Sequence, residues 1–108
     1  MSYEVLKEKI IDELKKIYDP EIPVNIYELG LIYDIECRQK EEQTTCVITM
    51  TLTSAACPVS ESLLDQVYNI GYLIEDMPDL VTQPYLVFDP PWSQENISDE
   101  AKLQLGML

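Results

Sequence analysis

Apolar residues recur at three- and four-residue spacing from Tyr3 to Tyr18. Tyr3, Leu6, Ile10, Leu14 and Ile17 form one stripe, the pattern of a helix with one buried face. Ser2 is placed to cap it, Glu4 falls in its first turn, and Lys15 and Lys16 fall in its last. Asp19-Pro20 stops it, because proline cannot continue a helix. The period then drops to two. Leu31, Tyr33, Ile35 and Cys37 alternate with Asp34, Glu36 and Arg38; Cys46, Ile48, Met50 and Leu52 alternate with Thr45, Thr49 and Thr51. Leu31–Gln39 and Thr45–Leu52 therefore read as two half-buried strands. A turn centred on Glu41-Glu42 sets Cys37 opposite Cys46, Ile35 opposite Ile48, Tyr33 opposite Met50 and Leu31 opposite Leu52, so the apolar faces coincide. No Asn-Gly pair fixes the form of that turn. Helical spacing returns over Val59–Ile74, with Leu63, Leu64, Val67, Ile70 and Ile74 inward and Gly71 as a weak point. Val81–Phe88 reads as a third strand, in which Pro84 calls for an edge position or a bulge. Ser98 then caps a short helix over Ala101–Met107, with Asp99 and Glu100 in its first turn.

The order is α-β-β-α-β-α. The expected fold is α+β: a hairpin plus one parallel crossover strand make a small mixed three-stranded sheet, with helices packed on one face. Residues 1–108 form one domain, the usual size of a compact unit. Between the first helix and the hairpin lies Asp19–Gly30, a loop with two prolines and a closing glycine. Its Ile22, Val24, Ile26 and Leu29 should pack onto the body. Asp89-Pro90-Pro91-Trp92 closes the third strand in a rigid extended turn, and Trp92 reads as a plug over a core edge.

Charge narrows the function. Seven Lys and Arg face twenty Asp and Glu, a net of −13, and no basic residue occurs from Glu41 to Ala101. Such a surface repels nucleic-acid phosphates and anionic lipid, and attracts cations or a basic protein face. No apolar stretch approaches the length of a membrane span. Met1-Ser2-Tyr3-Glu4 is not the start of a basic-then-apolar leader, so the expected location is the cytoplasm. Histidine is absent, which excludes a Ser-His-Asp triad and a Cys-His pair. Three cysteines are too few, and odd in number, for a disulfide framework. In a reducing compartment Cys37 and Cys46 read as core thiols rather than ligands or a bridge.

Thr51-Leu52-Thr53-Ser54-Ala55-Ala56-Cys57-Pro58 carries the candidate chemistry. Proline suits the first position of a helix, so Cys57 would cap the helix that follows. The positive end of a helix dipole favours thiolate over thiol. Cys57 is therefore a candidate nucleophile or soft metal ligand. Asp19 and Glu21, flanking Pro20, could present two carboxylates together. Taken alone, they read as solvent-exposed acids at a helix end.

The run Asp19-Pro20-Glu21-Ile22-Pro23-Val24-Asn25-Ile26-Tyr27-Glu28-Leu29-Gly30-Leu31-Ile32-Tyr33-Asp34-Ile35, then Thr51-Leu52-Thr53 leading to Cys57-Pro58, then Phe88-Asp89-Pro90-Pro91-Trp92 resembles the SufT/PaaD-like metal–sulfur cluster assembly family. The same domain occurs in eukaryotic cytosolic iron–sulfur targeting adaptors. The resemblance covers nearly the whole chain. It implies an accessory or adaptor factor that helps mature iron–sulfur proteins, not a stand-alone enzyme. It maps Asp19, Glu21, Thr51, Thr53 and Cys57 onto the family's functional cluster, and Pro20, Asp89, Pro90, Pro91 and Trp92 onto its signature positions. Ala55-Ala56 departs from relatives that carry proline at the first of these positions. The implied cofactor is none held stably, with iron or an iron–sulfur cluster held transiently at Cys57. Such clusters ordinarily take several thiolates, so one cysteine would need a homodimer or a partner's ligands. The implied partners are iron–sulfur scaffold or carrier proteins and apo-client proteins. Two alternatives stay open at this stage: a maturation helper for one multicomponent oxygenase, and a thiol enzyme using Cys57. The missing histidine and the missing Cys-x-x-Cys pair count against the enzyme.

Overall fold

The structure, a computed structural model, describes residues 2–19, 22–53 and 60–106. Its elements follow the expected order: α1 Tyr3–Leu14, β1 Ile32–Lys40, β2 Gln43–Met50, α2 Ser60–Leu73, β3 Val81–Leu86, a 3-10 turn at Gln94–Asn96, and α3 Asp99–Gln104. The strands form one mixed sheet in the order β1-β2-β3, antiparallel between β1 and β2 and parallel between β2 and β3.

In α1 the Ser2 hydroxyl accepts the Val5 N–H at 3.2 Å, and Leu6, Ile10 and Leu14 are buried. The helix ends one turn earlier than the stripe predicts. After Leu14 the ladder tightens: Lys16 N–H donates to Glu13 and Ile17 N–H to Leu14. Tyr18 is then taken by the returning loop in an antiparallel bridge with Asn25. Ile17 is still buried, because Ile26 N–H donates to its carbonyl at 2.8 Å. The loop packs inward as expected, with Val24, Ile26 and Leu29 in the core.

The hairpin register sets Cys37 against Cys46 and Ile35 against Ile48, about a two-residue turn at Glu41-Glu42. Glu41 takes the left-handed backbone, φ +60°, where Asn-Gly would ordinarily relieve the strain. The predicted Tyr33–Met50 and Leu31–Leu52 pairs do not form. A register shift between Ile32 and Asp34 pairs Ile32 with Met50. The strand ladder then stops, and Leu31 accepts the Thr51 N–H at 2.8 Å. The second correction concerns the cysteines. Cys37 and Cys46 are joined as a disulfide, not left as separate thiols. They stand directly opposite on the buried face with Cα atoms 4.0 Å apart, and that closeness decides the pairing where the compartment argument predicted thiols.

Cys46, Ile48 and Met50 of β2 are buried, while Thr45, Val47 and Thr49 on the other face stay half-exposed. The buried face shares one core with Leu63, Val67 and Ile70 of α2 and with Ile74 just beyond it. Gly71 is required rather than merely tolerated: a Cβ there would lie 2.7 Å from the Leu80 carbonyl oxygen. The same contact draws in Thr82, fully buried, whose hydroxyl accepts the Gly71 N–H at 3.0 Å and donates toward the carbonyls of Val67 and Tyr68. β3 is an edge strand, as Pro84 demands, and ends at Leu86. α3 is capped by the Ser98 hydroxyl, which accepts the Ala101 N–H at 3.2 Å. It starts at Asp99, earlier than predicted, and ends at Gln104.

Candidate functional site

The site end of the sheet is where β2 runs out at Met50 and the chain continues through Thr51, Leu52 and Thr53 toward α2. Thr51 is 1% exposed. Its backbone is anchored to Leu31, and Leu31 N–H in turn donates to Ile26 at 3.2 Å. Its hydroxyl oxygen finds no hydrogen-bond partner among the described residues. A buried hydroxyl without a partner is costly, so such groups call for an explanation. Leu52 is buried and Thr53 half-buried.

The loop that ends at Leu31 begins with Asp19. Its carboxylate accepts the Ile22 N–H at 3.0 Å, and its own N–H donates to Val24 at 3.2 Å. Asp19 is 5% exposed, which corrects the reading of a solvent-facing acid: the loop closes over it. Farther along, the Asn25 side chain accepts the Glu28 N–H at 2.9 Å, a local turn that competes with helix and fixes the loop's second half. Pro20, Glu21 and Cys57 lie outside the described residues, so the predicted meeting of Cys57 with Asp19 and Glu21 is not among the observed geometry. Ser60, the first residue of α2, is three positions beyond Cys57 in sequence.

The Asp-Pro-Pro-Trp signature forms a strap across this loop. The Asp89–Pro90 peptide is cis. The Tyr33 hydroxyl donates to the Pro90 carbonyl at 2.7 Å, and the Trp92 indole N–H donates to the Leu29 carbonyl at 2.8 Å. Trp92 is half-buried against the core and acts as the expected plug. Behind it, Ser98 N–H donates to Glu28 at 2.8 Å. Gly30, at φ +83°, lies so close to Asn96 that a Cβ would stand 2.2 Å from that carbonyl oxygen. Asp89 itself is exposed. Thr51 therefore meets the loop through Leu31, the strap meets it through Leu29, and the 3-10 turn at Gln94–Asn96 meets it through Gly30. These three contacts were not singled out from the sequence as site-forming; the one signal pointing to them was the glycine closing an otherwise apolar loop.

Among the described residues no group of three or more His, Cys, Asp or Glu side chains could hold a metal ion. No described helix is long and apolar enough to cross a membrane. The arrangement is a small α+β scaffold with a buried threonine, a closed acidic loop and an aromatic strap gathered where a strand hands over to a cysteine-bearing segment. The chain belongs to the iron–sulfur cluster assembly protein family, which matches residues 7–70. It is 38% identical to the Fe-S protein maturation auxiliary factor YitW of Bacillus subtilis, over 96% of this chain and 97% of that protein. It is 34% identical to the Fe-S protein maturation auxiliary factor SufT of Staphylococcus aureus, over 84% of this chain and 98% of that protein. Among solved structures, a domain of unknown function from Bacillus anthracis superposes with a TM-score of 0.82 at 33% identity, covering 97% of this chain and 95% of that one.

Proposed function

We propose that this protein is an accessory factor in the maturation of iron–sulfur proteins, which receives iron or a cluster as cargo and passes it to apo-proteins through Cys57. The observation that carries the reading is family membership together with near full-length similarity to relatives named as maturation auxiliary factors. Those relatives are named as auxiliary factors rather than enzymes, in keeping with a protein that has no histidine base. The chemistry of the residues is consistent with transient holding. A thiolate is a soft ligand suited to iron–sulfur cargo, and one such ligand releases more readily than a full set. Nearby carboxylates raise a thiol's pKa, whereas a helix end lowers it. The remaining ligands would come from a second copy or from a scaffold or client protein, and the working location is the cytoplasm.

The test is complementation of a strain lacking its own copy, read as the activity of an iron–sulfur dehydratase. Cys57→Ser should fail while folding normally. Cys37→Ala should complement. Full complementation by Cys57→Ser would make the cysteine structural and end the proposal.

A further inference from the structure

The acids of this chain are unevenly compensated. Around α1, Lys9 pairs with Asp76, Lys16 with Glu13 at 3.1 Å, and Lys15 approaches Glu28 at 3.9 Å. On β1, Arg38 pairs with Glu36 at 2.8 Å. The hollow between α1 and the end of α2 is accordingly lined by both signs of charge. The hairpin end of the sheet differs. There, two adjoining hollows of about 160 and 510 Å³ share Gln43 and Asp79. The first runs beside Tyr68 and Tyr72 of α2; the second carries Glu41 and Glu42 of the hairpin turn. Among the described side chains no Lys or Arg lines either hollow. None of Glu41, Glu42 and Asp79 joins an ion pair among the described residues. The cause lies in the sequence, which has no basic residue from Glu41 to Ala101. Tyr68 is 46% exposed and Tyr72 75%, and their rings meet edge to face with centroids 6.3 Å apart. This helix face leaves two aromatic rings in water beside three carboxylates that join no ion pair among the described residues.

We propose that this surface docks a lysine- or arginine-bearing segment of a partner protein. A cationic head gains from the carboxylates, and its charge also favours the face of a tyrosine ring. Its aliphatic stem covers the ring surface that is now wet. Docking proceeds through side chains rather than by strand addition, because Pro84 brings no N–H to the β3 edge. The same carboxylates repel nucleic acid and anionic lipid. The position suits a factor with work to do elsewhere. β2 runs from Gln43 in this surface to Met50 beside Thr51, a span of about 23 Å at a rise of ~3.3 Å per residue. A partner seated here leaves the Thr51 end of the sheet free, so the proposal does not depend on what Cys57 carries.

The experiment is an amide NMR titration of the full chain with an acetylated peptide alternating Lys, Arg and Gly, and with its Glu-for-Lys and Glu-for-Arg counterpart, at physiological ionic strength. The basic peptide should give saturable shifts confined to Glu41, Glu42, Gln43, Tyr68, Tyr72 and Asp79, and the acidic peptide none. Asp79→Lys combined with Tyr72→Ser, both at exposed positions, should weaken binding roughly tenfold or more while leaving amides of the core unmoved. Shifts spread over Asp12, Glu13 and Glu100 would show unspecific charge attraction and overturn the proposal. So would binding retained in the double variant, shifts at Tyr72 that follow protein concentration alone and mark a second copy as the occupant, or the same shifts with magnesium or calcium alone.

Discussion

The two ends of the sheet solve opposite problems. At the end where β2 stops, the loop from Asp19, the Thr51 backbone and the Asp89–Trp92 strap are tied by hydrogen bonds from Tyr33, Thr51 and Trp92 and by the close approach of Gly30 to Asn96. At the hairpin end, Tyr68, Tyr72, Glu41, Glu42 and Asp79 stand in solvent. Ties within the chain hold backbone in place, as a site with a reactive group requires. Exposed rings beside unpaired acids leave interactions available to another molecule. The proposed roles follow that difference, position at one end and contact at the other.

The largest break in that comparison is Gly30→Ala. The new Cβ meets the Asn96 carbonyl oxygen at 2.2 Å, and φ is +83°. Strain and overpacking together should cost about 3 kcal/mol. The strap should lift, seen as a lower melting temperature and a red-shifted Trp92 emission. An unchanged emission and stability would mean that the strap does not clamp the loop. Next comes reduction of the Cys37–Cys46 bridge, which spans a sequence separation of nine. Loop-closure entropy puts its contribution at about 2–3 kcal/mol. Urea unfolding with and without dithiothreitol should differ by that amount, and Cys37→Ala should show no such difference. Curves that coincide for the native chain would deny the bridge its role in stiffening the hairpin.

At the open end the expected sign reverses. Glu41 holds φ +60°, a conformation glycine adopts freely, so Glu41→Gly should stabilise the protein by roughly 1 kcal/mol. A loss on substitution would place a needed side-chain contact at the hairpin tip. The smallest effect concerns the charge-balanced side of the molecule. The hydrogen bond from Lys9, and then its charge, hold the Asp76 carboxyl below its ordinary range. A lowered carboxyl pKa lends stability above its unfolded value and loses it as pH falls through the folded one. Exposure to solvent keeps the effect slight. Asp76→Asn should flatten the acid limb of the melting temperature's pH profile by a small margin; an unchanged profile would show that the pair adds nothing.

Much of this was legible because periodicity survives folding. The α1 stripe, the Cys37–Cys46 register and the edge placement of Pro84 follow from local pattern alone. What pattern missed came from contacts distant in sequence. α1 ends at Leu14 because the bridge to Asn25 claims Tyr18. Gly71 is fixed by the Leu80 carbonyl, which helix propensity cannot register. The shift beside Tyr33 falls where Leu31, Ile32 and Tyr33 run apolar in succession, so alternation could not fix the register there, and Ile32 packs on the core in place of Tyr33. The two cysteines were placed correctly and paired wrongly, because location was argued before geometry. At the site, sequence picked out Thr51 but not its burial, and took Asp19 for a surface acid when the loop covers it. Cys57 was singled out from its neighbours Pro58 and Thr51–Thr53, and it lies outside the described residues.

The central claim is that Cys57 carries iron–sulfur cargo. Anaerobic reconstitution with iron and sulfide, wild type beside Cys57→Ser, tests it by visible absorption followed by transfer to an apo-ferredoxin. Wild-type protein should gain the absorption of a bound cluster and pass it on, while Cys57→Ser should do neither. Equal loading and transfer by both proteins would contradict the account.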